Sequence, residues 1–162
     1  MSKRFGLDVG GVLIDAIAND GTDTDLRGDN FMKASPVKGA YDAVKRLVDS
    51  YGPQNIYIVS KCGENIEDRT RKWLAGNDFY GYTGFNPENL IFCRTRAEKA
   101  PIVQKLEITD FVDDNIDVLE YMHGIVANRY LFGPQRDEAQ KADGFIAVNS
   151  WEETLAHIYQ EA

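Results

Sequence analysis

The sequence predicts a three-layer α/β fold, a Rossmann-like parallel sheet covered by helices on both faces, and two observations predict it. Short apolar runs of strand length alternate with segments whose apolar residues recur at helical spacing, along nearly the whole chain. Two of the apolar runs also end in carboxylates. Phe5-Gly6-Leu7-Asp8-Val9-Gly10-Gly11-Val12-Leu13-Ile14-Asp15 runs from a strand into a Gly-rich turn, and Ile108-Thr109-Asp110-Phe111-Val112-Asp113-Asp114-Asn115 closes on an acidic pair. Strand ends of a parallel sheet converge on one edge, so carboxylates 105 positions apart can share one crevice.

Taken in order, the first strand begins at Phe5 and breaks at Gly10-Gly11. The polar stretch 18–35, with Asn19-Asp20-Gly21-Thr22-Asp23-Thr24-Asp25, has the composition of a loop or small flap. Val37, Ala40, Tyr41, Val44, Leu47 and Val48 predict a helix over 37–50, with Pro36 in its first turn and its end near Gly52-Pro53. Ile56-Tyr57-Ile58-Val59 is a short buried strand closed by Ser60, and 64–74 is a helix of weaker periodicity. A strand over 89–93, a helix over 98–106, a strand over 109–112 and a helix over 115–123 follow. The segments 125–132, 135–142, 145–148 and 151–159 continue the alternation, and its crossovers are expected to be right-handed.

Composition bounds the rest. A chain of 162 residues fits one domain, 1–162, and can bury a core without staples. Eighteen Lys and Arg against 26 Asp and Glu give a net charge of −8, which disfavours nonspecific binding to nucleic acid or to an anionic membrane. Small phosphorylated substrates stay open, because a local site can be positive on an acidic protein. Cys62 and Cys93 follow separate strands with no metal-ligand neighbours and read as core-edge thiols. No basic leader opens the chain and no run is long enough to cross a bilayer, so a reduced cytoplasm is the expected compartment. The Asp20–Asp25 stretch fails as a calcium loop, since Arg27 and Ala34 stand where ligands belong.

The converging carboxylates read as a magnesium-dependent phosphoryl-transfer site. Magnesium takes oxygen ligands and keeps several waters, so one or two carboxylates, a carbonyl and a substrate phosphate suffice. Asp8, the Gly10 carbonyl and Asp114 supply such a set, with Asp113 behind them or as a further ligand. Each residue also has a plainer reading: Asp8 as a strand-end turn residue, and Asp113-Asp114-Asn115 as the cap of the next helix, which needs only one of the three. A receiver-type signalling domain would place its acidic pair after the first strand and its lysine after the last, the reverse of this order.

The order of these features resembles the haloacid dehalogenase superfamily of phosphatases and phosphotransferases, over nearly the entire chain. The first motif of that family matches Asp8-Val9-Gly10-Gly11-Val12. The second, a strand ending in Ser or Thr, matches Ile56 to Ser60; the third, a Lys near a helix start, is best matched by Lys99; the fourth matches Asp113-Asp114. The resemblance implies an α/β hydrolase in which Asp8 is the nucleophile that forms an aspartyl-phosphate. It also implies that Gly10, Gly11, Ser60 and Lys99 hold the phosphoryl group, with Mg2+ at Asp8, Gly10, Asp113 and Asp114. Lys105, on the same predicted helix, is a rival for the lysine role.

The chain departs from that pattern at Gly10, where phosphate-ester members usually carry the acid/base Asp. Three readings follow: a slower or substrate-assisted phosphatase, an acid supplied by the 18–35 stretch or Asp15, or a catalytically silent domain that binds a phosphorylated ligand or a protein partner. Val118 also stands where the family often has an acid or Asn, with Asp117 one position earlier. The possible cap insertions, 18–35 and about 76–88, are too short for a core of their own. An open site is therefore expected, closed by a loop or by a neighbouring subunit of an oligomer. It would suit a bulky or macromolecular phosphorylated substrate as well as a small metabolite. Arg94 and Arg96 offer a place for a second anionic group, or are ordinary surface arginines.

Overall fold

The computed structural model describes residues 3–16, 25–134 and 144–160. Its strands are β1 (Phe5–Leu7), β2 (Ile56–Lys61), β3 (Leu90–Cys93), β4 (Asp110–Asp113), β5 (Asn128–Phe132) and β6 (Ile146–Val148). They form one sheet in the order β3-β2-β1-β4-β5-β6, with every pairing parallel. The helices are α1 (Ala40–Tyr51), α2 (Glu64–Gly76), α3 (Phe79–Thr83), α4 (Lys99–Lys105), α5 (Ile116–Tyr121) and α6 (Trp151–Tyr159).

The period of two along a strand divides the core into two layers. Phe5, Leu7, Ile56, Ile58 and Val112 pack on one face against Ala40, Ala43, Val44, Leu47 and Val48 of α1, Trp73 and Leu74 of α2, Phe79 of α3 and Ile158 of α6. Tyr57, Val59 and Phe111 point the other way, against Val103 of α4 and Val118 and Leu119 of α5. The apolar positions of α1 recur at helical spacing, the pattern of a helix with one face on a core. No helix among the described residues is long and apolar enough to cross a membrane.

Local chemistry shifts several boundaries. α1 begins at Ala40 rather than near Val37, because Gly39 adopts φ 80° and breaks the helical run. Pro36 lies instead beside Ile14 in an isolated bridge. The 76–88 segment contains α3, whose Phe79 meets Tyr41 and Phe85 edge to face or tilted, so burial of aromatic surface orders a segment with little periodicity. β4 extends through Asp113, placing that carboxylate inside the sheet rather than after it. The 135–142 element lies outside the described residues, as does the 18–24 part of the proposed flap; within 25–35 there is a 3-10 turn, Phe31–Lys33.

The chain winds from β1 outward to β3, then returns to β4 on the other side of β1 and winds outward to β6. The order reverses between β1 and β4, and a crevice opens there at the carboxyl ends of the strands. Leu7 is level with Val112 in the register, so Asp8 and Asp113 arrive at that crevice together.

Candidate active site

Asp8 follows β1 directly, its N–H donating to the Val112 carbonyl at 3.0 Å. The chain then coils into one tight turn in which the N–H groups of Leu13 and Ile14 both donate to the Val9 carbonyl, at 2.8 and 3.1 Å. The buried Trp151 indole fixes that turn by donating to the Val12 carbonyl at 2.8 Å, from the far end of the chain. Gly11 is required twice: its φ is 79°, and a Cβ there would collide with the Asp114 carboxylate. Gly10 differs, having an ordinary backbone conformation and no atom within 4 Å of where a Cβ would stand.

Lys99 is the first residue of α4 and is 2% exposed. Its ammonium donates to Asp8 Oδ1 at 3.1 Å and to Asp113 Oδ2 at 2.8 Å, and it lies 5.6 Å from the centre of the Phe111 ring. Lys105, at the other end of α4, is exposed. Asn115 alone caps α5, accepting from Val118 N–H at 3.1 Å, while Asp113 accepts from Asn115 N–H at 2.9 Å. The cap therefore leaves Asp114 uncommitted to the helix. Oxygens of Asp8, Asp113 and Asp114 lie within 4.8 Å of one another.

Three carboxylates around one ammonium leave an excess of negative charge, and the titration of the cluster reflects it. Burial alone would lower the Lys99 ammonium, but Asp8 and Asp113 outweigh burial and hold it charged. Burial and the neighbouring Asp8 charge raise the Asp113 carboxyl, with Lys99 pulling against them. Asp114 is pushed up to about 7, by burial first and by Asp8 second. Such a cluster suits a hard divalent cation, which would lower the cost of keeping all three carboxylates ionised.

The cluster forms the floor of an open cleft of about 440 Å3. Gly10, Ser60, Lys99, Asp113 and Asp114 line it together with Asp8. Asp15 lines it too, its carboxyl raised by burial. Arg94 is turned elsewhere, joining the end of β2 to α2 through the Cys62 carbonyl at 2.9 Å and Glu67 at 2.9 Å, whereas Arg96 lines the cleft. Asp117 stands 3.8 Å from Arg96 at the surface. Sequence reasoning missed Lys61, Arg27 and Trp151. Lys61 adjoins Ser60 and carried its own signal, while Arg27 was hidden in a polar stretch and only the tertiary fold brings Trp151 to the turn.

No family model and no curated protein matches the chain. Solved structures do. A D,D-heptose 1,7-bisphosphate phosphatase from B. bronchiseptica, complexed with magnesium and phosphate, superposes with a TM-score of 0.60 at 14% identity, covering 99% of each chain. The chain has the haloacid dehalogenase fold. The corresponding phosphatase from Burkholderia thailandensis gives 0.60 at 12% identity over 98% of this chain and 99% of its own. A haloacid dehalogenase superfamily hydrolase from Ehrlichia chaffeensis gives 0.62 at 12% over 99% and 98%. On this fold the described cleft occupies the crevice that the strand order opens between β1 and β4.

Proposed function

We propose that the protein is a Mg2+-dependent phosphatase that hydrolyses phosphomonoesters through Asp8. The observation that carries this reading is the Lys99 ammonium bridging Asp8 and Asp113 beside Asp114, at the floor of the cleft. The structural likeness to phosphatases, one of them with magnesium and phosphate bound, supports the same class of chemistry.

Asp8, Asp114 and the Gly10 carbonyl would hold the metal, with Asp113 adjoining. A bound Mg2+ would offset charge on the phosphoryl oxygens. The Asp8 carboxylate attacks phosphorus, the bond from phosphorus to the ester oxygen breaks, and the alcohol leaves with a proton. Water then attacks phosphorus, the bond to Asp8 breaks, and phosphate and a proton are released. Lys99 holds Asp8 oriented and balances charge at the phosphoryl group, and the Ser60 hydroxyl and the Gly10 N–H donate to its oxygens; the Gly11 N–H, expected from the sequence to join them, is instead taken by the Ile14 carbonyl at 2.8 Å. Gly10 brings no acid, and Asp15, a carboxyl that lines this cleft, would supply the proton in its stead.

The absence of a carboxyl at position 10 also favours a second reading, a silent domain that binds a phosphorylated ligand without turning it over. Phosphate release from a panel of phosphomonoesters, with and without Mg2+, decides between them. Turnover that requires Mg2+ and vanishes in Asp8→Asn supports the phosphatase, and phosphate-ester binding without turnover supports the silent domain.

A further inference from the structure

Around the mouth of the cleft, charge is distributed unevenly. The carboxylates come from the ends of β1 and β4, whereas Lys61 ends β2 and Arg96 follows β3, both in the other half of the sheet. Arg27 arrives from the loop after β1, which is pinned to α2 where Arg69 donates to the Leu26 and Gly28 carbonyls at 3.0 and 2.9 Å. α2 and α4 cover opposite faces of the sheet. Arg27 and Arg96 therefore approach the cleft from opposite sides, and Lys61 stands on the strand between them.

Two of these three cations are little used by the protein itself. Lys61 is exposed and has no ion-pair or hydrogen-bond partner among the described residues. Asp117 faces Arg96 at 3.8 Å in solvent, where such a pair contributes little, whereas Arg27 is held by the largely buried Asp25 at 3.8 Å and by the Ala16 carbonyl at 3.5 Å with its side chain still exposed at the rim. Lys99 is already committed to Asp8 and Asp113, so it cannot serve an anion further out. On a chain of net charge −8, three cations gathered at the rim of one cleft, Lys61 without a partner among the described residues and Arg96 only loosely paired, call for a ligand explanation.

We propose, building on the phosphatase reading, that the cleft selects small phosphomonoesters whose body carries a second anionic group, a carboxylate or second phosphate, held by Lys61, Arg27 and Arg96. A cleft of about 440 Å3 accepts a body of small-metabolite size. The arginines match the planar oxygens of carboxylate and phosphate, and Lys61 adds a mobile point charge.

The test compares two non-hydrolysable probes that differ at one end only: the methylene phosphonate analogues of glucitol 6-phosphate, with a neutral end, and of 6-phosphogluconate, with a carboxylate. Each is titrated calorimetrically into the wild-type protein with Mg2+. The carboxylate probe is expected to bind about 5-fold or more tightly, and the ratio to fall within about 2-fold in the Lys61→Ala/Arg96→Ala double variant. That variant should keep the far-UV circular dichroism and melting temperature of the wild type, which shows that it folds. Equal affinity for the two probes, or no measurable binding of either, overturns the proposal. Failure of the phosphatase reading appears separately, as no hydrolysis of p-nitrophenyl phosphate by the wild type. The bisphosphonate analogue, run alongside, distinguishes a phosphate-selective outer site from a carboxylate-selective one.

Discussion

Replacing Gly10 by Asp is expected to raise the rate on alkyl phosphates. The backbone there is not left-handed and a Cβ meets nothing within 4 Å, so the substitution should cost no more than about 0.5 kcal/mol in conformation. Its main cost is electrostatic. A new carboxylate at about 6 Å from another, in an effective dielectric of about 20, is repelled by roughly 3 kcal/mol. General acid–base catalysis typically contributes about 10²–10⁴-fold, which is roughly 2.7–5.4 kcal/mol of barrier. The two are comparable, so the gain should emerge only where a bound cation offsets the repulsion, and the assay belongs at saturating Mg2+. The substrate should be glycerol 2-phosphate, whose poor leaving group needs a proton. p-Nitrophenyl phosphate, which needs one less, should gain less. Gly11→Ala is the contrasting variant and should lose activity, because φ 79° and the Asp114 carboxylate both oppose a side chain. A Gly10→Asp protein that folds, binds Mg2+ and gains less than about 2-fold on glycerol 2-phosphate would refute the idea that a missing proton carrier limits this site.

Asp114→Asn should weaken Mg2+ binding by about 10-fold or more, since carboxylate charge is the main attraction for a hard cation; titration calorimetry reads this directly. Lys99→Met should leave Asp8 and Asp113 with unbalanced charge, lowering metal-free stability by about 3–5 kcal/mol in urea unfolding, with part regained on adding Mg2+. Metal-free stability should also fall as pH rises. Asp114 is raised from 3.8 to about 7 in the folded state, so folding takes up a proton between those values, and the stabilisation present below 3.8 is lost as pH climbs through 7. Melting temperatures from pH 5 to 8 should show this slope without Mg2+, and Asp114→Asn should flatten it.

The parallel sheet was legible because its strands are apolar runs and the longer helices between them carry a periodic face, as the five buried positions of α1 do. Boundaries were less legible where one residue's backbone decided them. Gly39 stops α1 short of Pro36, and nothing in the apolar pattern announces a left-handed glycine. α3 escaped because its order comes from aromatic packing with Tyr41 and Phe85, which are distant or aperiodic in sequence. At the site, the strand-end carboxylates and Lys99 could be picked out because a parallel sheet brings strand ends and the following helix starts to one edge. Which of the two adjacent glycines must be glycine could not be read, since the left-handed backbone at Gly11 and the Asp114 carboxylate against it exist only in the folded chain. The cations at the rim were half visible. Arg94 and Arg96 look equivalent in sequence, and Glu67 on α2 is what draws Arg94 away.

The central claim is that the phosphoryl group passes through the Asp8 carboxylate. Rapid acid quench of the wild-type protein turning over a phosphomonoester with Mg2+, followed by peptide mass spectrometry, tests it most directly. A phosphoryl group is expected on the peptide bearing Asp8 in the wild type, with none on any peptide of Asp8→Asn and no turnover by that variant. Wild-type turnover by Asp8→Asn, or a phosphoryl group trapped on another residue, would contradict it.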